Sequence, residues 1–138
     1  VALSTKTRYT FDRANFEAVV GPGLKHDIEQ RSAQVRTLAR ALAPRGQTGR
    51  LRQSIGWVVE GERLNWTGYI FIDDTIAPHG VYVAFGTGVY GPSRRVIRAH
   101  DGGFMKFKTA DGRWVRTRTV QGQRRQDFLP NALRAARD

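Results

Sequence analysis

Residues 22–43 read PGLKHDIEQRSAQVRTLARALA, and the reading of this stretch decides the fold. Leu24, Ile28, Val35, Leu38 and Leu42 recur at spacings of 4, 7, 3 and 4, which is one face of a 3.6-residue period. Arg31 and Ser32 thin that stripe in its middle, while Ala33, Ala39, Ala41 and Ala43 keep helix propensity high and allow close approach. Asp27 and Arg31 form an i,i+4 pair. Pro22 suits the first helical position, where its missing N–H costs nothing, and Ala43-Pro44-Arg45-Gly46 ends the run. A helix from Pro22 to Ala43 would be roughly 33 Å long at 1.5 Å per residue.

Working outward, Asp12 is placed to cap a separate short helix through Val20, and Gly21-Pro22-Gly23 reads as the break between the two. Residues 1–10 have no period and read as an extended arm or added strand. Downstream the pattern changes. Ser54–Glu60 and Asn65–Asp73 are rich in Ile, Val, Trp, Tyr and Phe, separated by Gly61-Glu62-Arg63, and read as an antiparallel strand pair. In the second of these, Trp66, Gly68, Ile70 and Ile72 alternate with Thr67, Tyr69 and Phe71, so both faces are expected to be covered. Val81–Phe85 is either a strand or one helical turn. A last helix carries Phe128, Leu129, Ala132, Leu133 and Ala136 on one face, with Pro130 tolerated in its first turn. Helices, then sheet, then a closing helix make a single α+β domain over residues 1–138.

The charge is concentrated. Arg94, Arg95, Arg98, Lys106, Lys108, Arg113, Arg116, Arg118, Arg124 and Arg125 face only Asp101 and Asp111 in that segment, a net +8 of the chain's +11. The segment contains a β-hairpin over about 104–120, with Phe104–Thr109 and Arg113–Val120 flanking an Asp111-Gly112 turn. Such a ribbon wants acidic surface, nucleic acid or neighbouring copies of itself. Interleaved Phe104, Phe107 and Trp114 are the mix that stacks bases and contacts phosphates. A two-residue loop would set Phe107 opposite Arg116 and Lys108 opposite Val115, mixing both faces and spoiling a binding platform.

The 138 residues allow a modest core, with a 40% hydrophobic fraction that speaks against disorder. No run reaches the ~18 apolar residues of a membrane span, so no membrane partner is expected, and Val1–Lys6 lacks the pattern of a secretory signal. There are no cysteines and only three histidines, so neither disulfides nor metal sites are expected. Gly86-Thr87-Gly88-Val89-Tyr90-Gly91 matches a dinucleotide fingerprint, but Pro92 and two arginines follow where a helix must open. Asp73 and Asp74 point to opposite sides of an extended chain and read as turn formers, with His79 no partner to them. No nucleophile accompanies them. The expectation is a non-enzyme without cofactor, metal or catalytic residue.

Three stretches, in order, resemble the tail-component family of long-tailed bacteriophages, whose members act at the head–tail neck or tail end. Thr48-Gly49-Arg50-Leu51-Arg52-Gln53-Ser54-Ile55 is similar to that family's TG-x-L-x-x-SI, and follows a long helix as it does there. Tyr82-Val83-Ala84-Phe85-Gly86-Thr87 resembles Y-V-E-F-G-T, with Ala84 in place of the usual Glu. Phe128-Leu129-Pro130-Asn131-Ala132-Leu133 resembles PFL-x-x-AL, with Asp127 where Pro is common. The basic hairpin lies where that family has a hairpin, so the resemblance spans roughly residues 12–137.

What the resemblance implies is a structural virion subunit, made in the bacterial host cytoplasm, that closes into a ring, probable hexamer in that family, at the neck. The ring would cap the tail tube or join it to the head connector, in the manner of a tail terminator or completion protein. Its partners would be other copies, the tail-tube protein, the connector (stopper or adaptor) proteins, and genomic DNA that passes through the bore without specific binding. The basic hairpin and the Gly86–Arg98 loop are then the expected contact segments. Six basic ribbons crowded on a channel wall would hold DNA and resist its passage, so most of these cations are expected to face partners or the outside. The competing reading is a free-standing basic nucleic-acid-binding module.

Overall fold

The computed structural model describes residues 8–137. Helix α1 spans Arg13–Leu42, α2 Arg50–Ser54, α3 Gly80–Phe85 and α4 Phe128–Ala135. The strands are β1 (Ile55–Glu62), β2 (Asn65–Ile72), β3 (Ile97–Arg98), β4 (Met105–Lys108), β5 (Trp114–Thr117) and β6 (Thr119–Val120). The class is α+β, as the sequence indicates. The sheet is not continuous, however: β1–β2, β3–β6 and β4–β5 form three separate antiparallel two-stranded ribbons. Residues 8–10 carry no regular structure, and the rest of the expected N-terminal arm lies outside the described residues.

The two expected N-terminal helices are one. Asp12 caps α1, accepting from the Asn15 N–H at 3.1 Å, but the helix then runs for 30 residues straight through Pro22. Proline forfeits one backbone bond and still leaves the helix standing, because packing fixes the neighbouring turn. Gly21 is buried where the β1–β2 turn crosses, and a Cβ there would lie 2.6 Å from the Arg63 carbonyl. The buried face is also rotated from the one read off the large residues. Leu24 and Leu42 are exposed, whereas Ser32, Val35 and Ala39 are buried. The cause is close approach: a Cβ on Gly68 would stand 2.1 Å from Ser32 Oγ, so β2 meets α1 where both chains are small.

Residues Thr48–Ile55 turn the chain from helix to strand. Gly49 takes φ 66° at the start of α2, a left-handed conformation that glycine adopts without Cβ strain. Leu51, Ser54 and Ile55 are buried behind it, and the Ser54 hydroxyl donates to the Leu51 carbonyl at 2.7 Å. Ser54 thus ends α2 instead of starting the strand. The Arg40 guanidinium reaches across from α1 to the Ile55 carbonyl at 2.9 Å, and Arg52 donates to the Ala43 carbonyl at the end of α1.

Strands β1 and β2 pair from Ile55↔Ile72 to Glu62↔Asn65, so the reversal is a two-residue Arg63-Leu64 turn with Arg63 at φ 56°. Gly61 and Glu62 belong to the strand. Helix α1 covers one face of this ribbon, but the other is bare: Tyr69 is 50% exposed and Phe71 43%. The expectation of cover on both faces fails because no second layer lies above it among the described elements.

The core is small. Its buried apolar members are Val35, Ala39, Ala43, Leu51, Ile55, Ala77, Phe128 and Ala132, half of them alanines. The chain exposes 11228 Å², where a compact 15.5 kDa monomer exposes about 7,200 Å². Granting each residue outside the described range the ~160 Å² of an extended chain still leaves an excess above 2,500 Å².

Candidate interaction surfaces

The basic hairpin forms, but its register is shifted by one residue from a two-residue loop. Thr109 and Arg113 pair through backbone, Gly112 takes φ 86°, and Ala110-Asp111-Gly112 make a three-residue loop. Phe107 therefore faces Val115, and Lys108 faces Trp114. This one-residue slip sorts the side chains. Lys106, Lys108, Trp114 and Arg116 occupy one face, while Met105, Phe107, Val115 and Thr117 occupy the other. The mixed faces expected from sequence are replaced by a basic, aromatic face and an apolar one.

Three cations there lie over rings. Arg116 stands 4.1 Å and Arg118 4.9 Å from the Phe104 centroid, and Lys106 lies 5.0 Å above Trp114. Trp114 is 65% exposed, so this is a surface, not a core. All ten candidate cations are exposed, and among the described residues only Arg113 and Arg125 of them meet a carboxylate, on Asp111 and Asp127 respectively. Arg124 packs on Tyr90 at 5.2 Å.

Asp111 organises the loop by accepting from the Thr109 hydroxyl and the Arg113 N–H, and the hydroxyl bond is the main reason its carboxyl lies below the ordinary range. A lowered folded pKa stabilises the loop above the unfolded carboxylate value. That contribution is lost as pH falls through the depressed value. An NMR titration should show Asp111 titrating late on the acid side, with Thr109→Val returning it toward the ordinary carboxylate range. Unchanged titration in the variant would remove this account of the loop.

The Gly86–Arg98 loop is built on backbone contact. Thr87 N–H donates to the Gln123 carbonyl at 2.9 Å, Val89 N–H to Gln121 at 2.8 Å, and the Thr87 hydroxyl accepts from Gln123 N–H at 2.9 Å. Gly88, at φ 63°, lets the two segments touch. The glycines open onto a single 3₁₀ turn, Gly88–Tyr90, and not onto a helix. Beside them Val81, Tyr82, Phe85, Pro92 and Ile97 line an open apolar groove of about 440 Å³. Tyr82–Phe85 is helical, and Tyr82 and Phe85 are 59% and 62% exposed. Thus Leu51, Ile55, Phe128 and Ala132 of the family-like motifs lie in the core, with Leu129 packed at its edge, Ser54 buried and Gly49 at the turn before α2. Tyr82, Phe85 and half-exposed Leu133 face out, while Gly86 and Thr87 hold the loop.

Asp73 closes a turn by accepting from the Thr75 hydroxyl at 2.6 Å and the Thr75 N–H at 2.9 Å, and these bonds lower its pKa. Asp74 and His79 are exposed at either end of that turn region. Among the described residues no cluster of three His, Cys, Asp or Glu side chains is placed to hold a metal, and no helix is long and apolar enough to cross a membrane.

One surface escapes the sequence reading. On the bare face of β1–β2, Val58, Glu60 and Glu62 stand opposite Tyr69, Thr67 and Asn65, and Phe71 lies over Gly56, whose Cβ would meet the ring at 2.7 Å. The signal was present as alternation in both strands. It needed the pairing register to bring its members together.

No family model matches the chain, and neither a curated protein nor a solved structure does.

Proposed function

We propose that this chain is a non-enzymatic structural subunit of a virion ring at the head–tail junction of a long-tailed phage, a hexamer that caps the tail tube or joins it to the connector. The observation that carries the reading is the excess of exposed surface over a compact monomer of this mass. Two interfaces of ~800 Å² per subunit, as a ring requires, would cover much of it. Twenty large apolar side chains are exposed among the described residues, ten of them on the bare ribbon, the groove and the basic hairpin, which is the pattern of a surface awaiting partners. The three family-like stretches support the same reading, since the first and third build the core and the second frames an open groove.

Electron microscopy and sedimentation of the purified chain, alone and with tail tubes, test this. Closed rings, or monomers that assemble only on tube ends, are expected. A chain that stays monomeric in both settings sinks the proposal.

A second reading is favoured by one observation, the segregation of Lys106, Lys108, Trp114 and Arg116 on a single exposed face. On that reading the chain is a free-standing module that grips a nucleic-acid backbone. Binding would then fall steeply with salt, with a log–log slope of about −3 for four neutralised phosphates on a single strand.

A further inference from the structure

We infer that the basic face of the β4–β5 ribbon docks on the bare, acidic face of the β1–β2 ribbon of a second copy of this chain. The inference rests on the ring reading and supplies its interface. It starts from an imbalance of partners. Among the described residues, Glu60, Glu62, Asp73 and Asp74, all on or at the end of the β1–β2 ribbon, meet no cation. Every other described carboxylate pairs with an arginine, lysine or histidine within 3.9 Å or caps α1. Lys106, Lys108, Arg116 and Arg118 likewise meet no carboxylate among the described residues, and no ion pair there joins the two ribbons within a subunit.

The two faces also match in spacing and chemistry. Glu60 and Glu62 are two residues apart on one strand face, as are Lys106 and Lys108, so both rows repeat at about 6.8 Å. Each row stands beside aromatic surface, Tyr69 and Phe71 on one ribbon and Trp114 and Phe104 on the other. Two such ribbons stacked face to face at ~10 Å bury the rings against each other and set the ammonium groups among the carboxylates. A nucleic acid on the basic face would leave the acidic, aromatic face unexplained. A second copy explains both.

Because the two patches differ, one such contact leaves each copy with a free patch of the opposite kind, and a head-to-tail series of these contacts closes as the proposed ring. Each contact is small. The five-residue reach of Phe104–Lys108 gives a footprint about 17 Å by 10 Å, well under the ~800 Å² per partner of a stable pair. Assembly is therefore cooperative and salt-sensitive, with few free dimers.

The test is sedimentation of three samples of the full chain: E60K/E62K alone, K106E/K108E alone, and their equal mixture. These side chains are exposed, and circular dichroism of each variant checks that the fold is kept. Each variant alone should need at least tenfold more protein than wild type to assemble. The mixture should assemble as wild type does, because alternating copies restore opposite charge at every contact. Should a reversal disturb the fold, E60Q/E62Q and K106M/K108M give the same reading through weaker assembly with a flatter salt dependence.

Wild-type rings that form with both reversals unaffected, or a mixture that fails to recover, overturn this interface and leave the ring standing. A wild-type chain that never assembles overturns both. If K106E/K108E assembles normally but loses a fluorescent single-stranded oligonucleotide, the ribbon belongs to nucleic acid and the inference falls.

Discussion

Phe128→Ala is expected to remove about 4 kcal/mol of stability, seen as a fall in thermal midpoint of roughly 12–20 °C and a matching drop in urea midpoint. Phe128 is 3% exposed and, with Ala132 at 0%, is how α4 enters the core. A domain of this length holds roughly 7–20 kcal/mol in total, and a core half made of alanine belongs near the lower end. The loss is then on the order of half the total. Leu133→Ala provides the contrast. It lies five residues on in the same family-like stretch, yet Leu133 is 50% exposed, so the isolated subunit should lose well under 1 kcal/mol. If the two variants melted alike, the placement of α4 on the core would be wrong. If Leu133→Ala melts as wild type but assembles poorly, its exposed face belongs to a contact between copies.

The elements were legible wherever local chemistry and packing agreed. Asp12 as a cap, the helical period after it, the β1–β2 alternation and the αL glycine at position 49 all follow from residue type alone. The errors fall where a distant neighbour decides. Gly21-Pro22-Gly23 looks like a break until the Arg63 carbonyl is seen pressing on Gly21, which turns a punctuation mark into a packing site. The largest residues of α1 point to one buried stripe, yet the crossing of β2 at Gly68 buries Ser32 instead of Leu24 or Leu42. Two faces of β2 looked covered because apolar residues alternate on both, and only the absence of a second layer distinguishes a buried face from a waiting one.

The hairpin shows how little separates two functional readings. Asp111-Gly112 pointed to a two-residue loop, but Thr109 closes on Arg113 and moves every later side chain to the other face. The ten cations were plain in composition. Their sorting onto one face with Trp114 was not, since it depends on a single residue in the loop. The acidic face of β1–β2 was hidden for the same reason: Glu60 and Tyr69 share a face only through a pairing register that charge counting does not see.

Gly88→Ala should open the loop that follows α3 and its exposed Tyr82 and Phe85. A Cβ at Gly88 would lie 2.1 Å from the Gln121 carbonyl oxygen, and one at Gly122 would lie 2.2 Å from that of Thr87. Both obstacles are backbone, so no rotamer relieves them. Gly88 also holds φ 63° and Gly122 φ 101°, where an alanine is strained by about 1–2 kcal/mol before any clash. Parting the segments breaks the Thr87–Gln123 and Val89–Gln121 backbone bonds, at about 1 kcal/mol each. The sum of about 3–4 kcal/mol falls on a peripheral segment, so local opening precedes global unfolding. Hydrogen exchange at Thr87 and Val89 should accelerate by roughly two to three decades, with the α1 amides little changed. The Gly88→Ala/Gly122→Ala pair should cost less than the two singles together, because the first substitution already parts the segments that the second would push apart. Exchange at these amides unchanged by Gly88→Ala would mean that the segments are not held by this crossing. Additive costs would mean that the two glycines act at separate places, and the groove would then need another support.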